Sequence, residues 1–197
     1  MLTIEWGSRD SFTSSTLAAV GAFRYKIFVE QLGWKLTSKS LIKNQEFDQF
    51  DTNDAYYVIA LENDTDICGF SRLTPTDKPN LLSYAFSQLC DGIPPADRAI
   101  FDMTRFAFQS HINRQHGIKL FAHSLKVAAS LGAHKICGVV TPAVERYYQR
   151  HGVILRRLGK PYRIGNELLL AIILPVDQLQ ANICLAEEKM LEDGCFI

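Results

Sequence analysis

Hydrophobic residues recur at helical spacing along two stretches of the chain. Over residues 15–32 they alternate with polar positions at the period of an amphipathic helix, and Gly33 provides a C-terminal stop. Residues 119–131 repeat this pattern before another glycine. Thr141, followed by proline, is typical of a helix N-cap and first turn, and this helix is expected to reach His151.

Shorter runs of β-branched and aromatic residues predict strands. The predicted strands are residues 56–61, 67–73, 99–108, 135–140, 153–158 and 167–174. The first two are joined by a turn at Asn63 and Asp64 and form a hairpin. A short helix is expected at 81–89 and another at 176–191. Late helices separated by strands, after an early hairpin, indicate an α/β protein with a mixed central sheet and helices on both faces.

Composition is that of an ordinary globular protein. The 197 residues are 47% hydrophobic and 21% charged, so we expect a single domain spanning residues 1–197. The formal net charge is +0, which argues against a dedicated nucleic-acid binder. No apolar run is long enough to span a bilayer, and the N-terminus has no secretory signal pattern. Together with an odd number of scattered cysteines, this predicts a cytoplasmic protein.

Metal sites and nucleotide loops have recognisable spacings, and the chain lacks them. The five histidines form no HExxH pattern, and the five cysteines have no metal-ligand spacing. The acidic stretch 48–54 lacks the glycine and final glutamate of an EF-hand. We therefore expect no metal and no permanently bound cofactor.

Charged residues are concentrated among otherwise apolar elements. The stretch 45–51 places three acids around two phenylalanines, while Arg24 lies on the first predicted helix. Arg72, Asp102 and Arg105 lie on predicted strands. Buried charges are costly unless they are paired, so these residues should meet in one place. The pattern fits either an active-site cleft or a structural ion-pair network that attaches the acidic loop to the sheet.

The same residues carry a resemblance to a known family. The matching motifs are Arg24-x3-Phe28-x3-Leu32-Gly33-Trp34, Glu46-x-Asp48-x2-Asp51, Gly69-x2-Arg72-Leu73-x-Pro75-Thr76, Asp102-x2-Arg105-Phe106 and Val140-Thr141-x3-Glu145-Arg146-Tyr147. In their order and spacing they resemble the acyl-homoserine-lactone synthases, the autoinducer synthases of bacterial quorum sensing. The resemblance covers most of the chain.

The resemblance implies an acetyltransferase-like, three-layer α/β/α sandwich and a reaction. Family members use S-adenosylmethionine as substrate and usually an acyl-acyl carrier protein as acyl donor, whereas a minority use acyl-coenzyme A. They release an N-acyl-homoserine lactone and methylthioadenosine. The acyl chain, its 3-position, the donor and the oligomeric state are left open. The family's functional positions fall on Arg24, Phe28, Trp34, Asp48, Asp51, Arg72, Asp102 and Arg105.

Roles follow from the chemistry of these groups. Asp48, Asp51 and Asp102 are the acids available to deprotonate an amine, and Arg105 either binds a substrate carboxylate or pairs with Asp102. We expect substrate contacts from Arg24, Phe28, Trp34, Arg72, Met103 and Thr141. For Phe28, simple core packing is an equal alternative. In the family, a threonine at position 141 is associated with 3-oxoacyl chains, although its role as a helix cap explains it as well.

Two features of the strand predicted at 99–108 stand out. The family usually has Trp-Glu where this chain has Phe101-Asp102, so the acid is one methylene shorter here. Asp102 and Arg105 are also three residues apart, which places them on opposite faces of a regular strand. If they share a site, a β-bulge or a local bend must lie between them.

A basic run begins within the helix predicted from Thr141 to His151 and continues beyond it. We expect this run to dock the acidic acyl carrier protein, although a solvated surface is the plainer interpretation. The residues expected to do so are Arg146, Arg150, Arg156, Arg157 and Lys160.

Two other functions are compatible with the sequence. The first is an N-acyltransferase that uses acyl-coenzyme A on another amine, but residues 109–117 contain only one glycine where a pyrophosphate loop is expected. The second is a non-catalytic binding module.

Overall fold

The structure, a computed structural model, describes residues 2–34, 42–109 and 114–177. Its strands are β1 (Leu2–Ser8), β2 (Tyr56–Glu62), β3 (Asp66–Pro75), β4 (Ile100–Phe108), β5 (Lys135–Val140), β6 (Arg156–Arg157), β7 (Tyr162–Ile164) and β8 (Glu167–Pro175). Its α-helices are α1 (Ser14–Arg24), α2 (Leu81–Ala85), α3 (Arg114–Ser130) and α4 (Pro142–Arg150). Short 3-10 turns lie at Arg9–Ser11 and Ser87–Leu89.

All eight strands belong to one mixed sheet. Its order is β1-β2-β3-β4-β5-β8-β6, and β7 pairs with β8 off this path. Neighbouring strands are antiparallel, except that β4 and β5 run parallel. The expected mixed central sheet is therefore confirmed.

Helices cover both faces of the sheet. On one face, α3 and α4 meet through the stacked rings of Phe121 and Tyr148, whose centroids are 4.3 Å apart. On the other face, α1 buries Val20 and Phe23 against the side chains of β2 and β3. These are the three layers of the expected acetyltransferase-like sandwich. Burial of two separate apolar faces is what holds the sheet between its helices.

A gap opens in the middle of this sheet. Strands β4 and β5 pair only from Ile100 to Asp102, although β4 continues to Phe108 and β5 to Val140. At the point of separation, a Cβ on Gly138 would lie 2.9 Å from the backbone oxygen of Met103. Only glycine allows the two strands to approach so closely there. Beyond this point the strands diverge and leave room for a cleft.

Several predicted elements differ in extent. The first helix is α-helical to Arg24 and then continues as a π-helix over Tyr25–Gln31, because one extra residue is accommodated in its last turns. Of the strand predicted at 153–158, only Arg156–Arg157 pairs, and β1 and β7 were not predicted. The helix predicted at 176–191 lies outside the described residues from position 178 onward. Among the described helices, none is long and apolar enough to cross a membrane.

Candidate active site

The acidic loop is attached to α1 by a buried arginine. Arg24 is fully buried, and its Nε donates to Glu46 Oε2 at 2.6 Å. Its two Nη atoms bind the Asp51 carboxylate at 2.7 and 3.0 Å. The loop can approach α1 because Gly21 has no side chain: a Cβ there would lie 2.5 Å from the Phe47 ring. Helix α1 therefore positions the Arg24 charge, and the absence of a side chain at Gly21 leaves room for the acidic loop beside it.

A second arginine connects the same loop to the sheet. Arg72 on β3 binds both oxygens of Asp48, at 2.5 and 3.0 Å, and its Nη1 lies 3.0 Å from Asp51 Oδ1. Its Nε donates to Thr104 Oγ1 on β4 at 2.9 Å. The Tyr57 hydroxyl donates to Asp51 Oδ1 at 2.6 Å. All three nitrogens of the Arg72 guanidinium thus contact either the acidic loop or β4.

Arg105 joins the cluster through a distortion of β4. Opposite β3, the pairing moves from Arg72–Thr104 to Phe70–Ala107, so β4 carries one extra residue. Arg105 has a φ of 52°, the left-handed conformation that is rare outside glycine. This rotation turns its side chain toward the acidic loop, where Nη2 lies 3.1 Å from Glu46 Oε1 and 2.8 Å from Asp48 Oδ2. The expected irregularity is present and begins at Arg105.

The ion cluster is electrically balanced. We use this name for Arg24, Arg72, Arg105, Glu46, Asp48 and Asp51, which contribute three positive and three negative formal charges. Burial opposes ionisation of Asp51, but the Arg24 and Arg72 guanidiniums outweigh it and hold the pKa of that carboxyl well below its ordinary range. Burial and the Asp51 charge raise the pKa of Tyr57. Asp51 is therefore a fixed anion and a poor proton acceptor.

Asp102 stands apart from the cluster. It is 1% exposed, and its Oδ2 accepts a hydrogen bond of 3.0 Å from the backbone N–H of Leu82 at the start of α2. Its Oδ1 has no hydrogen-bond partner among the described residues. Burial raises the pKa of Asp102 to about 6, although the Leu82 N–H lowers it in part. Asp102 does not pair with Arg105, because Glu46 and Asp48 occupy that guanidinium.

A cleft of about 1920 Å³ runs through the gap between β4 and β5. On the side of the ion cluster it is lined by Phe28, Trp34, Phe47, Asp48, Phe50 and Arg105. On the other side it is lined by Met103, Phe121, Ile136, Val144, Tyr148 and Ile172. Asp102 lies on its wall between the two sides. One cleft therefore joins a charged, aromatic half to an apolar half.

The aromatic pair predicted for substrate contact is assembled. The Phe28 and Trp34 rings stack with centroids 4.9 Å apart, and the Arg105 guanidinium lies 5.6 Å from the Phe28 ring centre. Phe28 is buried, whereas Trp34 is 36% exposed at the cleft mouth. Phe28 thus serves both as core and as cleft wall. This arrangement presents an aromatic face on which a cation can be bound.

Thr141 and Met103 also reach the cleft. Thr141 caps α4, and its Oγ1 accepts from the Val144 N–H at 3.3 Å. The cap explains this threonine structurally, as its position before proline indicates. Met103 is 9% exposed and lies where β4 leaves β5.

The five basic residues predicted to dock a carrier protein lie on α4 and the strand and loop after it. Arg146, Arg150, Arg156, Arg157 and Lys160 are all exposed. Arg157 differs from the other four because its guanidinium binds both oxygens of Glu145, each at 2.6 Å.

Within the part of the chain that the structure describes, no group of His, Cys, Asp and Glu side chains could hold a metal ion.

Comparison with known proteins identifies the family. A sequence model of the autoinducer synthases matches residues 9–183. An acyl-homoserine-lactone synthase of Pseudomonas aeruginosa is 39% identical over 171 residues, which are 87% of this chain and 85% of that protein. One from Pseudomonas chlororaphis is 40% identical over 88% of this chain and 87% of its own length. This chain belongs to the autoinducer synthase family.

Solved structures agree with this membership. TofI, in a ternary complex with an inhibitor and MTA, superposes with a TM-score of 0.80 at 31% identity, covering 92% of this chain and 95% of that one. The fold is shared more widely. An acyl-CoA N-acyltransferase from Pseudomonas aeruginosa has a TM-score of 0.63 at 13% identity, over 88% of this chain and 99% of its own. The autoinducer synthase described here is therefore a transferase with an acetyltransferase-like fold.

Three contributors to this synthase's site were not assigned from the sequence. Glu46 connects Arg24 to Arg105, although it was noted only as part of a motif. Its position two residues before Asp48, within the same acidic run, was the available signal. Tyr57 and Thr104 complete the hydrogen bonds of the cluster from β2 and β4. Nothing in their local sequence distinguishes them from other strand residues, because their role depends on which strands are neighbours.

Proposed function

We propose that this autoinducer synthase makes an N-acyl-L-homoserine lactone from S-adenosylmethionine and an acyl-acyl carrier protein, in the cytoplasm. The observation that carries the proposal is the cleft through the sheet. It joins an aromatic and ionic half, suited to a charged amino acid derivative, to an apolar half suited to an acyl chain. Asp102 lies between the halves, where an amine and a thioester would meet.

S-adenosylmethionine has a sulfonium, an amine and a carboxylate to be recognised. The stacked Phe28 and Trp34 rings offer the sulfonium a cation–π surface, and Arg105 at the edge of the ion cluster suits the carboxylate. Because the cluster is balanced, the attraction of a cation rests on local geometry and not on net negative charge. Arg24, Arg72 and Asp51 hold the loop in place and so act as positioning residues.

Acylation begins when the amine loses a proton. Asp102 is suited to accept it, because its Oδ1 has no partner among the described residues and its pKa is raised to about 6. The amine nitrogen then bonds to the thioester carbonyl carbon. Backbone N–H groups of β4 that face the gap can stabilise the resulting oxyanion. The carbon–sulfur bond breaks, and the departing carrier thiolate takes up a proton.

Lactone formation follows on the acylated intermediate. Its carboxylate oxygen attacks the γ-carbon, the bond from that carbon to sulfur breaks, and neutral methylthioadenosine leaves with the electron pair. The sulfonium is already a good leaving group, so the protein's task is to fold the methionine chain into position. The aromatic wall of Phe28 and Trp34 suits this task.

For the acyl donor we propose a carrier protein, which is acidic, bound at the exposed basic residues around α4. Acyl-coenzyme A is the alternative: BjaI, a CoA-dependent acyl-homoserine lactone synthase, has a TM-score of 0.82 at 22% identity. The same fold also serves an acyl-CoA N-acyltransferase. Acylation of another amine by acyl-coenzyme A is therefore the second candidate function.

Purified protein distinguishes these possibilities. We would incubate it with S-adenosylmethionine labelled in the methionine carbons, together with acyl-carrier protein or acyl-coenzyme A of matched chains, and analyse extracts by mass spectrometry. Labelled lactone and methylthioadenosine in equal amounts support the proposal, and the better donor identifies the acyl source. Acylated product without methylthioadenosine would favour the second candidate. Asp102→Asn should lose most lactone synthesis, while the exposed Lys26→Gln should retain it.

A further inference from the structure

Helix α4 forms one wall of the apolar half of the cleft. Thr141, Val144 and Tyr148 line the cleft from successive turns of this helix, at spacings of three and four residues. Such residues lie on one face of a helix. The position of α4 relative to the sheet therefore sets the distance between these side chains and the opposite wall of the cleft.

An ion pair attaches α4 to the edge of the sheet. The Glu145 side chain, only 5% exposed, accepts two hydrogen bonds of 2.6 Å from Arg157 Nε and Nη2. Arg157 lies on the two-residue strand β6, which pairs with Ile172 of β8. Bidentate binding of this kind fixes orientation as well as distance. Arg157 also holds the pKa of Glu145 below its ordinary range.

The Glu145–Arg157 ion pair lies next to the residues of α4 that line the cleft. Glu145 directly follows Val144, and its backbone N–H donates to the Thr141 carbonyl at 3.0 Å. A shift of Glu145 therefore moves both cleft residues with it. Strand β6 has only two residues, and the Glu145–Arg157 side-chain pair joins it to α4.

We propose that Glu145 and Arg157 are positioning residues that set the width of the apolar half of the cleft and thereby select the acyl chain. The inference rests on the proposed function, since it requires an acyl chain in that half. It also separates Arg157 from the other basic residues around α4: the Arg157 guanidinium is committed to the fold, while its neighbours face solvent for docking.

Acyl selectivity is the measurement that tests this. We would compare Glu145→Gln, Arg157→Gln and Arg157→Lys with wild type, using carrier proteins loaded with a short or a long acyl chain. The matched control is Arg98→Gln, which removes an exposed arginine outside α4 and β6 that does not line the cleft. We expect the ratio of kcat/KM for the two chains to change by about three- to tenfold. This is less than the roughly 10–200-fold effect of one methylene in an apolar pocket, because the wall shifts but loses none of its own groups.

Three further readouts make the result decisive. The KM for S-adenosylmethionine should stay within about twofold of wild type, since its half of the cleft lies elsewhere. Arg157→Lys should fall between wild type and Arg157→Gln, because lysine keeps the charge but not the bidentate geometry. Thermal unfolding identifies the variants that fold. If any folded glutamine variant keeps the wild-type ratio, the inference is overturned; a wild-type protein that makes no lactone would instead overturn the proposed function.

Discussion

The backbone N–H of Leu82 donates to Asp102 Oδ2 at 3.0 Å, while Asp102 Oδ1 is buried without a hydrogen-bond partner among the described residues. This contact joins the start of α2 to the strand that borders the gap. The two oxygens of Asp102 therefore differ: Oδ2 anchors the side chain, and Oδ1 is the unpartnered atom to which the proposed mechanism assigns the proton. The shorter acid at this position is thus held from α2 and not from the ion cluster.

Asp102→Asn should stabilise the protein near neutral pH. Burial raises the pKa of Asp102 from 3.8 to about 6 in the folded protein. Between these values the folded state binds more protons than the unfolded state, so stability falls as pH rises. Asparagine still accepts from Leu82 but carries no charge, which removes a cost of at most about 3 kcal/mol above pH 6, since a tenfold change in proton affinity corresponds to about 1.4 kcal/mol.

Thermal unfolding of both proteins at pH 4 and pH 7.5 measures this effect. We expect nearly equal Tm values at the lower pH and a higher Tm for the variant at the upper pH. If the Tm difference between variant and wild type is the same at both pH values, ionisation of Asp102 is not responsible for it.

In wild type, lactone synthesis should decline as pH falls below about 6, because the proposed base becomes protonated. The dependence of kcat/KM on pH measures this decline.

Asp102→Glu should reduce synthesis and not restore it. The extra methylene must either push the carboxylate past the Leu82 N–H or move α2, and a displacement of about 1 Å can cost much of the rate. Phe101 beside it is buried in the core, so the strand has little room to adjust. Steady-state kinetics would check this, and a several-fold gain in kcat/KM would contradict it.

Arg24→Ala should both destabilise the protein and abolish most lactone synthesis. The change leaves Glu46 and Asp51 buried without their main partner, which typically costs about 3–5 kcal/mol. Denaturant unfolding gives the free energy directly. Lys78→Ala is the control: its 3.8 Å pair with Asp54 is exposed and should be worth no more than about 1 kcal/mol. Comparable losses in the two variants would argue against a stabilising cluster.

Carrier-protein docking can be tested away from the positioning pair. The double reversal Arg150→Glu with Arg156→Glu should raise the KM for acyl-carrier protein and weaken its dependence on salt, because exposed charges act mainly on association. The KM for S-adenosylmethionine should not change. Lys26→Glu with Lys78→Glu reverses the same amount of charge outside this set of basic residues. Equal effects of the two double variants would remove the residues around α4 as the docking surface.

Local patterns in the sequence predicted most of the helices and strands and named the charged residues that meet. Arg24, Arg72 and Asp48 were recognisable because charges in apolar segments require partners. Which acid binds which arginine was not predictable from the sequence. Glu46, for example, binds both Arg24 and Arg105, which are far apart in the chain. The spacing of Asp102 and Arg105 called for an irregular strand, and the structure has one.

Other features depend on contacts that only the folded chain creates. The partner of Asp102 is a backbone N–H on α2, which no side-chain pattern encodes. The pairing of Arg157 with Glu145 needs β6 to lie beside α4, and a two-residue strand leaves almost no trace in the sequence. Strand β1 was missed because its half-exposed residues give only a weak alternating pattern.

The π-helical segment Tyr25–Gln31 fixes how many residues this part of the chain can contain more strictly than it fixes which residues they are. A π-helical turn holds one residue more than an α-helical turn, so Arg24 and Phe28 reach the same site only while that residue is present. Deleting one residue between them would rotate Phe28 by about 100° around the helix axis. The ring would leave Trp34 and Arg105. Over evolutionary time, this segment should therefore tolerate substitutions at its exposed positions, such as Lys26 and Glu30, but exclude insertions and deletions.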